Sequence, residues 1–194
     1  MSALAKEYFD AGYISTSDGD FVHVDGYTDN WAQIGWYQWE LIFPFSIESP
    51  SLSFDFTVTD FIIRTDVLWE SASKAANPSG CGFVFRLQDN RDHYMAFISL
   101  DGYVYSGVTR SRDYKDMGHG YYGVAAQNGG ANLTLVMEDN TYRVLVNDEL
   151  IKTYTGLAGK MTTGMLAYTI VSGINTDFGT RCTFTNTDLW KIKK

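Results

Sequence analysis

Residues Cys81 to Arg110 read CGFVFRLQDNRDHYMAFISLDGYVYSGVTR. Three runs rich in Val, Ile, Phe and Tyr, namely Gly82 to Leu87, His93 to Leu100 and Tyr103 to Thr109, are parted by two short polar turns. Apolar and aromatic runs of this length, bounded by turn residues, predict consecutive antiparallel strands. Asp89-Asn90-Arg91-Asp92 makes the first turn and Asp101-Gly102 the second, where Gly supplies the positive φ of a tight hairpin. The middle of the chain is therefore expected to be a β-meander.

The same pattern extends in both directions. Upstream, Leu52 to Thr59 reads LSFDFTVT, with Leu52, Phe54, Phe56 and Val58 on one face and polar residues on the other, which is the alternation of a half-buried strand. Phe61 to Trp69 continues as another strand, and Phe21 to Val24 is a brief one between two Asp/Gly turns. In Trp36 to Leu41, Trp36, Gln38 and Glu40 alternate with Tyr37, Trp39 and Leu41, so the aromatics fall on both faces. One face packs inward and the other covers a loop or binds something. Downstream, Ser111 to Gly120, SRDYKDMGHG, reads as a charged, glycine-rich excursion, and long loops of this kind carry binding residues in many scaffolds. Asn132 to Glu138 and Thr141 to Val146 form a hairpin around Asp139-Asn140, and Asn147-Asp148 turns the chain into Glu149 to Tyr154. Thr163 to Val171 and Arg181 to Ile192 are the final strands. Met1 to Glu7 reads as a short helix or a disordered lead. About a dozen strands and almost no 3.6-residue period give an all-β class, a two-sheet antiparallel β-sandwich. At 194 residues the chain, 1–194, is expected to be a single domain.

The formal charge is -8 and the longest basic cluster is the terminal Lys191 to Lys194, so the electrostatic footprint of a nucleic-acid binder is missing and an anionic membrane surface is disfavoured. No run approaches the ~20 apolar residues of a membrane helix, and the N-terminus lacks the apolar stretch of an export signal. The two cysteines, Cys81 and Cys182, belong to no CxxC or Cys/His cluster, which argues against structural zinc. A single disulfide between neighbouring strands and two separate buried thiols are equal readings.

These residues resemble the concanavalin A-like, laminin G-like jelly-roll superfamily, especially its bacterial extracellular members of the 3-keto-disaccharide hydrolase type. The likeness rests on Gly82-Phe83-Val84-Phe85-Arg86, the polar turn that follows, His93-Tyr94-Met95 and the next Asp-Gly turn. It rests also on Tyr142 to Leu150, which contains Val144-Leu145-Val146-Asn147-Asp148, and on Cys182 to Trp190, where Thr185-Asn186 stands in place of the usual Asp-Asn pair. It covers Leu52 to the C-terminus. It implies two antiparallel sheets with glycans bound on a concave sheet or its rim, and an extracellular or cell-surface location with any export signal outside this chain. Calcium is a candidate ligand at such rims, with Asp25, Asp29, Asp101 and Asp177 as loose candidates.

Catalytic patterns are sparse. The Glu-x-Asp strand of laminarinase-like relatives is missing, and the carboxylate pairs Asp18/Asp20, Asp89/Asp92 and Asp113/Asp116 fall in turns. His23, His93 and His119 have no nucleophile elbow nearby. Strict alternation from Cys81 turns Phe83 and Phe85 one way and Val84 and Arg86 the other, so Arg86 is expected to project from mid-sheet, toward a sugar or toward a cross-strand carboxylate. Tyr94, Tyr103, Tyr105, Tyr121 and Tyr122 offer stacking surfaces where exposed. The leading expectation is a non-catalytic carbohydrate-binding or adhesion module using Arg86, His93, Tyr94, Tyr105, Trp36, Tyr121 and Tyr122. The alternatives are a glycoside hydrolase or polysaccharide lyase with an atypical site at His93, Arg86 and Tyr94, and an assembly domain whose Trp36 or Trp39 meets a protein partner.

Overall fold

The computed structural model describes residues 2–30, 37–41, 57–71, 79–123, 126–157, 161–171 and 180–193. The strands among them are β1 (Phe21–Asn30), β2 (Tyr37–Leu41), β3 (Phe61–Ser71), β4 (Gly80–Leu87), β5 (His93–Ser99), β6 (Tyr103–Arg110), β7 (Asp113–Tyr121), β8 (Asn128–Glu138), β9 (Thr141–Val146), β10 (Glu149–Tyr154), β11 (Met165–Val171) and β12 (Thr180–Lys191). One helix, α1 (Ala3–Asp10), precedes them. The predicted meander is present as β4, β5 and β6. Residues 52–56 of the predicted LSFDFTVT strand lie outside the described residues.

The described strands form two six-stranded sheets. The first runs β1-β12-β3-β8-β9-β10 and the second β2-β11-β4-β5-β6-β7. Every pairing between these strands is antiparallel. Turn chemistry fixes the hairpins: Asn147 and Asp148 both take positive φ, as the favoured two-residue connection requires.

The inner faces meet in one apolar core. Ile63, Val67, Leu135 and Phe184 come from the first sheet, and Phe83, Phe85, Tyr94, Ile98 and Tyr168 from the second. Rings span the layer, with Tyr168 stacked on Phe184 at 4.4 Å and on Tyr27 at 5.3 Å. Cys81 of β4 and Cys182 of β12 are joined as a buried disulfide that ties one sheet to the other, with Cα atoms 5.8 Å apart.

Three sequence expectations change. The N-terminal segment is a helix that runs on to Asp10 and covers the outer face of the first sheet, where Ala5 and Tyr8 pack with Ile62, Val136, Leu145 and Trp190. Ser2 caps it by accepting from the Ala5 amide at 3.2 Å. β1 continues through Asp25-Gly26 because Gly26 stays in register opposite Thr185. The Ser111 to Gly120 excursion is instead a tight turn at Ser111-Arg112, both at positive φ, followed by edge strand β7. Its polar composition reflects an edge strand with much of its length in water. No helix among the described residues is long and apolar enough to cross a membrane.

Candidate functional site

The pairing of β5, β6 and β7 stacks residues into rows. Phe97 lies opposite Tyr105, and Tyr105 opposite His119. The next row on the same face pairs Tyr103 with Tyr121. Since Phe97 belongs to the cluster on the outer side of the second sheet, with Val84 and Met95, these rows face away from the sandwich interior.

The result is a terrace of rings. Tyr103 meets His119 edge-on at 5.2 Å and Tyr121 at 5.4 Å, while Tyr105 lies 5.4 Å from His119. Beneath it, Tyr105 stacks on buried Phe97 at 5.7 Å. Asp101, in the β5–β6 turn, fixes the inner end: its carboxylate accepts from the Tyr105 hydroxyl at 2.8 Å and from the Tyr103 amide at 3.3 Å. The outer end is open, for Tyr121 is 61% exposed and His119 is exposed as well. Rings held by packing on one side and wet on the other combine an apolar body with polar handles, the requirement for gripping an amphipathic ligand such as a sugar.

The residues singled out from sequence divide among three places. Tyr105 and Tyr121 stand on the terrace. His93 is on the same outer face but buried at 1% exposure, its Nδ1 2.7 Å from the Arg91 carbonyl, and burial pushes its pKa below the ordinary histidine value. Tyr94 and Tyr122 face the interior. Tyr94 stacks on Phe85 at 5.7 Å and accepts from the Arg110 guanidinium at 3.2 Å, and Tyr122 donates to the Ser99 carbonyl at 2.9 Å. Burial raises the Tyr122 pKa. Trp36 lies outside the described residues.

Arg86 corrects the alternation argument. Between Val84 and Leu87 of β4 the register with β11 slips, and Arg86 takes φ +50°. This β-bulge adds a residue and turns the side chain inward instead of toward the Val84 face. There the guanidinium, 1% exposed, donates to the carbonyls of Asp139 at 2.7 Å and of Thr59 and Met161 at 3.2 Å. Burial lowers its pKa, and the Asp60 carboxylate 3.8 Å away works in the opposite direction. Arg86 and Tyr94 thus sit on one side of the sheet and His93 on the other, so the three do not form a common site.

The aspartates are equally dispersed. Asp25 on β1 faces His23, whose ring bridges it at 3.1 Å and Asp188 at 2.8 Å. Asp101 belongs to the other sheet, Asp29 is placed by its backbone opposite Cys182, and Asp177 lies outside the described residues. Among the described residues no three His, Cys, Asp or Glu side chains are grouped to hold a metal. His119 is the terrace member that sequence reasoning passed over. Its alternation with Tyr121 was the available signal, and Gly118 and Gly120 obscured it by making the segment read as a loop.

No protein-family model matches the sequence, and no curated protein matches it. Solved structures do match. The carbohydrate-binding module CBM66 from Bacillus subtilis aligns with a TM-score of 0.60 at 12% identity, over 89% of this chain and 96% of that one. The carbohydrate recognition domain of Emp47p gives 0.55 at 10% identity, over 95% and 99%. CB05 of A. japonicus gives 0.58 at 11% identity, covering 98% of this chain and 28% of that one. At such identities the likeness is one of fold alone: the chain is an all-β, two-sheet antiparallel β-sandwich, as those carbohydrate-binding domains are.

Proposed function

We propose that this chain is a non-catalytic glycan-binding module, folded as one jelly-roll domain, that holds a sugar against the outer face of its second sheet across β6 and β7. One observation carries the reading: Tyr103, Tyr105, His119 and Tyr121 are neighbouring rings with centroids 5.2 to 6.2 Å apart, anchored where Tyr105 stacks on Phe97 and open to water at the edge. The C–H faces of a pyranose stack on tyrosine, while the hydroxyls meet the Tyr121 hydroxyl, the His119 nitrogens and the Asp101 carboxylate. The shared fold with a carbohydrate-binding module and a carbohydrate recognition domain supports the same class of ligand. A buried disulfide fits a secreted or cell-surface setting, where such bonds persist. A closer relation to domains of the 3-keto-disaccharide hydrolase type rests on the strand phrases of the sequence.

A glycan array followed by calorimetry against plant and microbial polysaccharides tests the proposal, run once with calcium and once with a chelator to expose any metal dependence. Tyr121→Ala and Tyr103→Ala are expected to weaken binding by up to about tenfold each, in line with aromatic contacts of ~0.5–1.5 kcal/mol. No binding to any polysaccharide, or binding that both variants leave intact, overturns it.

A further inference from the structure

The interior side of the same strands carries a second opening. Where β6 and β7 meet the segment that follows β10, a cleft of about 330 Å³ enters the sandwich from its edge. Tyr94, Val108, Met117 and Leu157 give it apolar walls, and Arg110, Lys115 and Asp113 stand with them around it. Its facing is opposite to the terrace: Tyr94 pairs with Val108, of opposite parity to Tyr105 on β6, and the register shift between Ser106 and Gly107 sets Lys115 beside Val108 on the face away from His119. The cleft and the terrace therefore lie on opposite faces of one sheet and do not share side chains.

The chemistry of the walls restricts the occupant. A void of this size falls within the range of small-ligand sites, in which an apolar lining carries a few polar groups that orient the guest. Arg110 is oriented by its bond to the Tyr94 hydroxyl at 3.2 Å. Lys115 projects to the same side, and the one acidic lining residue, Asp113, lies opposite Arg110 across the hairpin. Two cations against one anion leave the lining net positive on a chain whose formal charge is -8. We infer that this cleft binds a small amphipathic carboxylate, with its head at Arg110 and Lys115 and its apolar body against Val108, Met117 and Leu157. A planar guanidinium fork holds a carboxylate through two parallel hydrogen bonds, which a neutral head group cannot reproduce.

Octanoate, octanol and glucuronate distinguish the sources of affinity when titrated calorimetrically into the whole protein. Octanoate is expected to bind saturably at one site, octanol at least tenfold more weakly, and glucuronate not at all. Arg110→Gln is expected to weaken octanoate at least tenfold, and Leu157→Trp, which fills the cleft, to abolish its binding. Lys115→Gln, at an exposed position, supplies a variant whose folding is not at risk and is expected to weaken octanoate severalfold. Circular dichroism and melting confirm that each variant is folded. Absence of saturable octanoate binding, equal binding of octanol, preference for glucuronate, or octanoate affinity unmoved by all three substitutions overturns the assignment.

Discussion

A guanidinium sealed into an apolar interior must find acceptors, and Arg86 finds three backbone carbonyls, from Thr59, Asp139 and Met161. It acts as a bolt at one end of the sandwich, reaching from the second sheet to segments that flank β3 and β8 in the first. Arg86→Leu leaves those carbonyls buried without their donor, so a loss of about 3 kcal/mol or more is expected in urea denaturation, with polysaccharide binding by the folded protein unchanged. The bulge behind this arrangement escapes the alternation rule because nothing in Phe85-Arg86-Leu87 announces an extra residue. Its trace lies on the partner segment: a Cβ on Gly164 would stand 2.5 Å from the Arg86 carbonyl carbon. His93 and His23 carry opposite pH signatures. Burial depresses the His93 pKa, so as pH falls below ~6.5 the unfolded chain takes up the proton first and stability is lost through the folded value. A hydrogen bond to Asp188 raises the His23 pKa, so its contribution is complete below ~6.5 and fades as pH rises through the folded value. Urea midpoints at pH 5 and pH 8 are expected to show a weaker acid loss in His93→Gln than in the parent. The corresponding change in His23→Gln has the reverse sign.

Among the elements, β7 separates what the chain reveals from what it hides. Strands β4 and β5 are plain in the sequence because burial on both faces demands continuous apolar runs, β6 because its half-buried face is lined by tyrosines, and all three lie within a residue or two of their expected ends. β7 has no such demand. As an edge strand it is charged and glycine-containing, so composition alone marks it as loop; Tyr121 stands out there as an aromatic, while His119 stays hidden with the strand. Its turn is also poorly suited to its shape: Ser111 and Arg112 take φ +51° and +69°, where Asn-Gly is the favoured pair. Ser111→Asn with Arg112→Gly is expected to raise stability by about 1 kcal/mol, seen as a higher urea midpoint at constant slope. Terrace binding is expected to stay as it was. A midpoint that falls shows that the two side chains, more than the backbone, hold the hairpin.

At the scale of the whole molecule, the two sheets are held by an apolar core and by one covalent tie. Sequence alone left the cysteines as a disulfide or as two thiols, since spacing does not say which strands lie back to back. The topology answers this by setting β4 of one sheet across from β12 of the other, so that Cys81 meets Cys182 over a separation of 101 residues. A loop of that length restricts the unfolded chain by about 4 to 5 kcal/mol in the chain-entropy description. Both sulfurs are fully buried, so a reductant reaches them only after the sandwich opens. Two consequences separate in experiment. With dithiothreitol under native conditions, the bond is expected to survive for as long as the protein stays folded, with reduction following the unfolding rate. The double variant Cys81→Ala/Cys182→Ala is expected to unfold at a clearly lower urea concentration, by an amount approaching that entropy. Rapid labelling of both thiols in the reduced but folded protein excludes the buried placement. A double variant as stable as the parent shows that the core alone holds the sheets together, leaving the tie with no part in stability.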